Sequence, residues 1–152
     1  MGHALGPAAI LFALGYNKDS AEVLGTIKFF KNYIIACQLN DDAHDWEDDL
    51  KKGQVNAVGA RLLRDTKSDS RKPEKLREVF WHKTIIGAYK DISRHIGFAK
   101  NDLKKLSIIK EPAVFAKILA AIERSVEKAL KERDETIKFL KTYTSYGITK
   151  SN

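Results

Sequence analysis

Apolar residues recur at intervals of three and four along most of the chain, and no segment reads as a strand, so the periodicity predicts an all-α protein. An apolar segment over residues 5 to 15 predicts a first short helix ending near Gly15. The stretch "NKDSAEV" then supplies Asp19 or Ser20 as the N-cap of a second helix. That helix runs through Leu24, Ile27, Phe30, Ile34 and Cys37 into an acidic run, and stops at Lys51, Lys52 and Gly53, a basic last turn followed by a helix-ending glycine. "VNAVGARLLRD" predicts a short helix over residues 55 to 65, and the polar residues 66 to 72 predict a loop. Pro73 sits where a first-turn proline belongs, ahead of a broad apolar face that includes Leu76, Phe80, Ile85, Tyr89 and Ile92. A break is expected near Gly97 or Asn101. Glu111 and Pro112 open a long final helix with Phe115, Leu119, Ile122, Val126, Leu130, Ile137 and Leu140 at helical spacing. No internal repeat or low-complexity tract interrupts this order.

A chain of 152 residues, 43% hydrophobic, suits one helical domain over residues 1 to 152 with a real core. The single cysteine, Cys37, cannot build a disulfide framework, which points to a reducing, cytoplasmic setting. The apolar run at residues 4 to 16 is shorter than the ~20 residues of a membrane span, contains Pro7, and lacks the basic start of a signal peptide.

Charge changes the picture. The chain carries a formal +7, yet six of the nine residues from Asp41 to Asp49 are acids; removing those six would leave +13. A basic body suggests an anionic partner, and a dense acidic spot suggests a cation. At ~100° per residue, Asp41, Asp45 and Asp48 fall within about 60° on a helix, and Asp49 lies slightly further round. Phe30, Ile34, Cys37 and Gln38 continue that stripe toward the N-terminus, so one face passes from apolar to amide to carboxylate.

A solvated helix face is the ordinary fate of a charge run, but this one works against its own helix. Like charges at i,i+4 destabilise a helix by ~0.2–0.5 kcal/mol per pair. Acids near a helix C-terminus also oppose the macrodipole, and Asp is a poorer helix former than Glu. A hard cation would relieve the conflict: Asp side chains one turn apart can give Mg²⁺ oxygens while water and phosphate complete the octahedron. An EF-hand is the weaker metal reading, since Trp46 stands where its loop requires glycine.

The stretch "QLNDDAHD" resembles the second aspartate-rich motif of the trans-isoprenyl diphosphate synthases, F-Q-I-x-D-D-x-x-D, with Gln38, Asp41, Asp42 and Asp45 in matching places. Asp49 matches a further acid four residues on. The run is also similar to the second motif of squalene and phytoene synthases, a D-x-x-E-D followed by basic residues and glycine, here Asp45, Asp48, Asp49, Lys51, Lys52 and Gly53. The resemblance implies an all-α helical bundle of the class I isoprenoid synthase type, covering its C-terminal half. It implies a Mg²⁺-dependent prenyl diphosphate site in which metal and basic groups stabilise the departing diphosphate of an allylic substrate and an apolar cavity shields the cation. Asp41, Asp42, Asp45, Asp48 and Asp49 are the candidate metal residues, with Asp41, Asp45 and Asp49 as the implied ligands. Lys51 and Lys52 are candidate diphosphate contacts, and Phe30, Ile34, Cys37 and Gln38 the candidate substrate pocket.

The chain also departs from those families. Cys37 stands where many members have Phe, His44 where the squalene and phytoene pattern has Arg, and Gln54, Asn56 and Val58 where Arg, Tyr and Pro are common. Only Asp19 and Glu22 precede Asp41, so the first aspartate motif is missing and catalysis is expected to need the other half. Expected partners are a prenyl diphosphate and either a second copy or a complementary subunit carrying that motif, with peripheral membrane association through the lipid substrate.

The rival reading is a non-catalytic basic helical module that binds nucleic acid or a protein partner, or that oligomerises through the apolar stripe of residues 112 to 145. Its lysine-rich stretches alternate with acids at i,i+4, which reads better as solvated helix faces, so nucleic acid is not expected. His44, His82 and His95 form no ligand motif and read as surface or packed histidines; Trp46 and Trp81 read as core or pocket-wall anchors.

Overall fold

The chain is seen in a computed structural model that describes residues 5–66 and 72–148, residues 140–148 as backbone only. The helices are α1 (Leu5–Ala13), α2 (Ala21–Lys51), α3 (Ala57–Asp65), α4 (Pro73–Val79), α5 (Ile85–Lys105) and α6 (Pro112–Ile148). A π-helical turn, Phe80–Thr84, joins α4 to α5. The described residues contain no strand, as the periodicity predicts.

Local chemistry sets the ends of α2. Ser20, not Asp19, is the N-cap, and its hydroxyl accepts the Val23 amide at 3.3 Å. Lys52 is the C-cap, and Gly53 follows at φ 75°, a left-handed conformation that costs a glycine little. Between them run 31 residues, about 46 Å of uninterrupted helix.

The three long helices pack antiparallel in sequence order. Near the start of α2, Gly25 faces Leu106, and Asn32 donates to the Asp102 carboxylate at 3.1 Å. Near its end, Trp46 packs on Phe80 with ring centroids 4.8 Å apart. Helix α6 then returns along α5: Phe115 meets Phe29 edge-on at 5.4 Å, Lys100 reaches Glu123 at 2.7 Å, and Arg133 Nε donates to the Trp81 carbonyl at 2.7 Å. Asp102 can only accept, so Asn32 turns its NH₂ to it and its oxygen to His95, which therefore carries its proton on Nδ1 (2.9 Å).

Sequence and structure differ in four places. Helix α5 does not break at Gly97 or Asn101: both lie on its exposed side, while Ile92, Ile96, Ala99 and Leu103 carry the buried stripe past them. Helix α3 begins at Ala57, two residues later than expected, because the Asn56 side chain accepts the Gly59 amide at 2.7 Å and makes Asn56 the N-cap. Thr66 ends α3; of the expected loop, residues 67 to 71 lie outside the described residues. The buried stripe of α2 is Val23, Thr26, Phe29, Ala36, Ala43 and Trp46, one residue out of step with the predicted stripe, and Leu24 is 45% exposed. Helix α2 carries two adjacent rows at helical spacing, and contact with α5 selects one of them.

The π turn is invisible to a 3.6-residue pattern. The Ile85 amide bonds back to the Phe80 carbonyl, and the extra residue lets both Phe80 and Thr84 point inward. The Thr84 hydroxyl donates to Asp65 at 2.8 Å, tying the turn to the end of α3. Lys83 completes the site at 3.0 Å. Burial pushes the Asp65 carboxyl up, but these two partners prevail and hold it below its usual value.

The choice of face can be measured. Phe29→Ala should destabilise the protein by about 3–5 kcal/mol, while Leu24→Ala should stay within about 0.5 kcal/mol, both read from urea unfolding midpoints. A larger loss at Leu24 than at Phe29 would place the seam on the other row.

Candidate functional site

The acidic run occupies the last three turns of α2, and tertiary packing divides it. Asp42 is buried at 5% exposure. Its carboxylate accepts the Gln38 amide at 2.7 Å and the Ala57 backbone N–H at 2.9 Å, and its own carbonyl accepts from Asn56 at 3.1 Å. It therefore sits at the N-terminus of α3, where free N–H groups and the macrodipole favour a negative charge. Asp49, half-buried, accepts a second Asn56 N–H at 2.8 Å. One asparagine thus caps α3 and holds a backbone carbonyl and a carboxylate of α2.

The other acids face outward. Glu47 is held by the Arg77 guanidinium, whose Nε donates at 2.9 Å, and by Lys51 at 3.2 Å. Asp48 is exposed and pairs with Lys51 at 3.0 Å. Asp41 and Asp45 are exposed, one turn apart, and make no hydrogen bond or ion pair among the described residues. Of the two candidate diphosphate lysines, Lys51 is engaged by these acids, and Lys52 is exposed at the helix end.

The candidate pocket residues come together. Phe30, Ile34, Cys37, Gln38 and Asp41 line one open groove of about 350 Å³ along α2, joined by Tyr33. Tyr33 escaped the sequence reading although its spacing from Phe30 and Cys37 is helical. Its ring stacks parallel to Phe29 at 6.3 Å, which fixes the wall. Burial pushes the Cys37 thiol above its usual range, and the charge of Asp41 adds to the effect, so this cysteine is a weak nucleophile. Behind the groove, the Asn40 side-chain oxygen is buried without a hydrogen-bond partner among the described residues.

Two further residues were missed. Asn56 was legible as an N-cap, being an asparagine directly before a helical apolar run, but its grip on Asp42 and Asp49 comes from α2 and α3 meeting. Arg77 gives no local signal: its partner Glu47 is thirty residues away. Trp46 is buried, as anchors should be, whereas Trp81 is 39% exposed and touches Phe80 edge-on. His44 and His82 are exposed, each with Nδ1 against the carbonyl one turn back, and His95 is half-buried.

Among the described residues, no three His, Cys, Asp or Glu side chains are gathered so as to hold a metal ion by themselves. Asp41 and Asp45 nevertheless have the donor chemistry of a site that takes one or two carboxylates from protein and the remaining oxygens from water and phosphate. No family model matches the chain, and neither does any curated protein or solved structure.

The division of the acids predicts opposite mutational effects. Asp42→Ala strands a helix-end N–H and should cost about 1–3 kcal/mol, while Asp45→Ala should be neutral within about 0.5 kcal/mol or slightly stabilising. Thermal melts of the two variants check this.

A pH dependence follows from Glu47. Hydrogen bonding to Arg77 holds its carboxyl at about 2, below the ordinary 4.5. A depressed folded-state value stabilises the fold above the unfolded value and loses that contribution as pH falls toward the folded one. Wild-type protein should therefore lose stability between pH 4.5 and about 2, and Arg77→Ala should flatten that part of a melting-temperature profile.

Proposed function

We propose that this chain is a Mg²⁺-dependent prenyl diphosphate-binding protein, a part of an isoprenoid synthase of the class I helical type. The observation that carries the reading is the continuity of one α2 face: the apolar groove ends at Asp41, and Asp45 stands exposed one turn beyond it. An apolar tail in the groove would leave a diphosphate beside two unpaired carboxylates. A divalent cation is the group that lets a diphosphate and carboxylates share that space.

Asp41 and Asp45 would hold the cation, and Lys52 would face the diphosphate. Asp42 and Asp49 take a different part. They fix α3 against α2 and so position the outward acids. The ion's chemistry, when bound, is to neutralise charge on the departing diphosphate. The chain's own contribution is to orient the carboxylates on a rigid helix and to offer apolar walls at Phe30, Tyr33 and Ile34.

Calorimetry tests this. Mg²⁺ should bind weakly alone and about 5- to 150-fold more tightly with pyrophosphate or a prenyl diphosphate, the usual range of coupling between ligands. Asp45→Ala should remove that difference without changing the melting temperature. Binding of the prenyl diphosphate that is indifferent to Mg²⁺, or an unaffected Asp45→Ala, would overturn the assignment.

A further inference from the structure

The end of the bundle opposite the acids has a different character. Helix α1 rests on α2, burying Ala8 and Leu11, and leaves Leu5, Ile10, Phe12 and Leu14 from 48% to 67% exposed. Leu24, at the start of α2, adds to this apolar surface. The α5–α6 corner reaches the same end, as the approach of Gly25 to Leu106 requires. It carries an open hollow of about 590 Å³, lined by Leu103, Leu106, Ile109 and Pro112 together with Lys100 and Lys104.

The charge there is net positive. Residues 1 to 18 contain no acid. Lys18, Lys28, Lys104, Lys105, Lys110 and Lys117 are exposed on α2, α5, α6 and the connections before α2 and α6, and none makes an ion pair among the described residues. The acids of the region are Asp19, Glu22, Asp102 and Glu111, and Asp102 is engaged by Asn32. About twenty residues of α2, ~30 Å of helix, separate this end from the carboxylates.

We infer that this end docks on an anionic membrane surface, with α1 entering the headgroup boundary and the lysines meeting acidic lipid. Charge complementarity selects the occupant. A second copy placed symmetrically on this face would set lysine against lysine. A nucleic acid would satisfy the lysines and leave Ile10, Phe12 and Leu14 in water. A bilayer with acidic headgroups satisfies both, since apolar side chains enter the interface while basic ones stay at phosphate level. No helix among the described residues is long and apolar enough to cross a membrane, so the contact is with the surface.

The experiment is co-sedimentation of the whole chain with phosphatidylcholine vesicles, with and without phosphatidylserine. Binding should require phosphatidylserine and weaken as salt is raised. Phe12→Ser with Leu14→Ser should reduce it by roughly tenfold or more, as should Lys104→Glu with Lys105→Glu, circular dichroism confirming that both variants stay folded. Absence of binding to the serine-containing vesicles would overturn the inference. So would indifference to either pair of substitutions, or sedimentation of a dimer that the Phe12 and Leu14 changes dissociate. Because Asp45 lies at the other end, Asp45→Ala should bind vesicles like the wild type, which separates this outcome from that of the diphosphate reading.

Discussion

The antiparallel seam between α2 and α5 is the contact on which the remaining elements rest. Phe29, Ala36, Ala43 and Trp46 on one side meet Phe80, Ile85, Ala88, Ile92, Ile96 and Ala99 on the other, and they form a single buried cluster. The alanines let the two backbones approach, and the aromatic residues fill both ends of the seam. Helix α3 packs against α2 and the π turn, and α6 against α5 and α2. A shift of α2 by one residue about its axis would bury Phe30, Ile34 and Cys37, close the groove, and turn Asp41 toward the core.

The same seam explains how α2 tolerates its acidic end. Repulsion at i,i+4 costs a few tenths of a kcal/mol per pair, and the macrodipole adds to it. Against this stand hydrogen bonds to charged groups, each contributing about 1.5–3 kcal/mol. Asp42 receives such bonds from Gln38 and Ala57, and Asp49 from Asn56; Glu47 has an exposed ion pair with Arg77. Asp48 has the weaker, exposed pair with Lys51. Folding thus accounts for four of the six acids. Asp41 and Asp45 retain no internal partner among the described residues, and they are the two that border the groove and follow it.

The molecule is therefore polarised along α2. Among the described residues, one end has carboxylates without an ion pair beside an apolar groove, and the other has lysines without an ion pair beside exposed leucine, isoleucine and phenylalanine. A net charge of +7 conceals this, because it sums two ends that ask for opposite partners. Each end suits a ligand with one apolar part and one charged part of a defined sign.

The sequence alone determined the helical class, the order of the helices, a cap at Asp19 or Ser20, the Gly53 stop, the Pro112 start, and the gathering of Phe30, Ile34, Cys37, Gln38 and Asp41 on one face. These depend on residues within a turn or two of each other, where spacing and capping chemistry suffice. Only the tertiary structure decided which of two helical rows on α2 is core, that the helix ending in α5 passes Gly97 unbroken, and that a π turn brings Phe80 and Thr84 inward together. It also decided which acids are structural. Asp41 and Asp42 are neighbours with the same side chain; they differ because Asp42 faces the free amides at the start of α3, fifteen residues on, and no local pattern encodes that meeting.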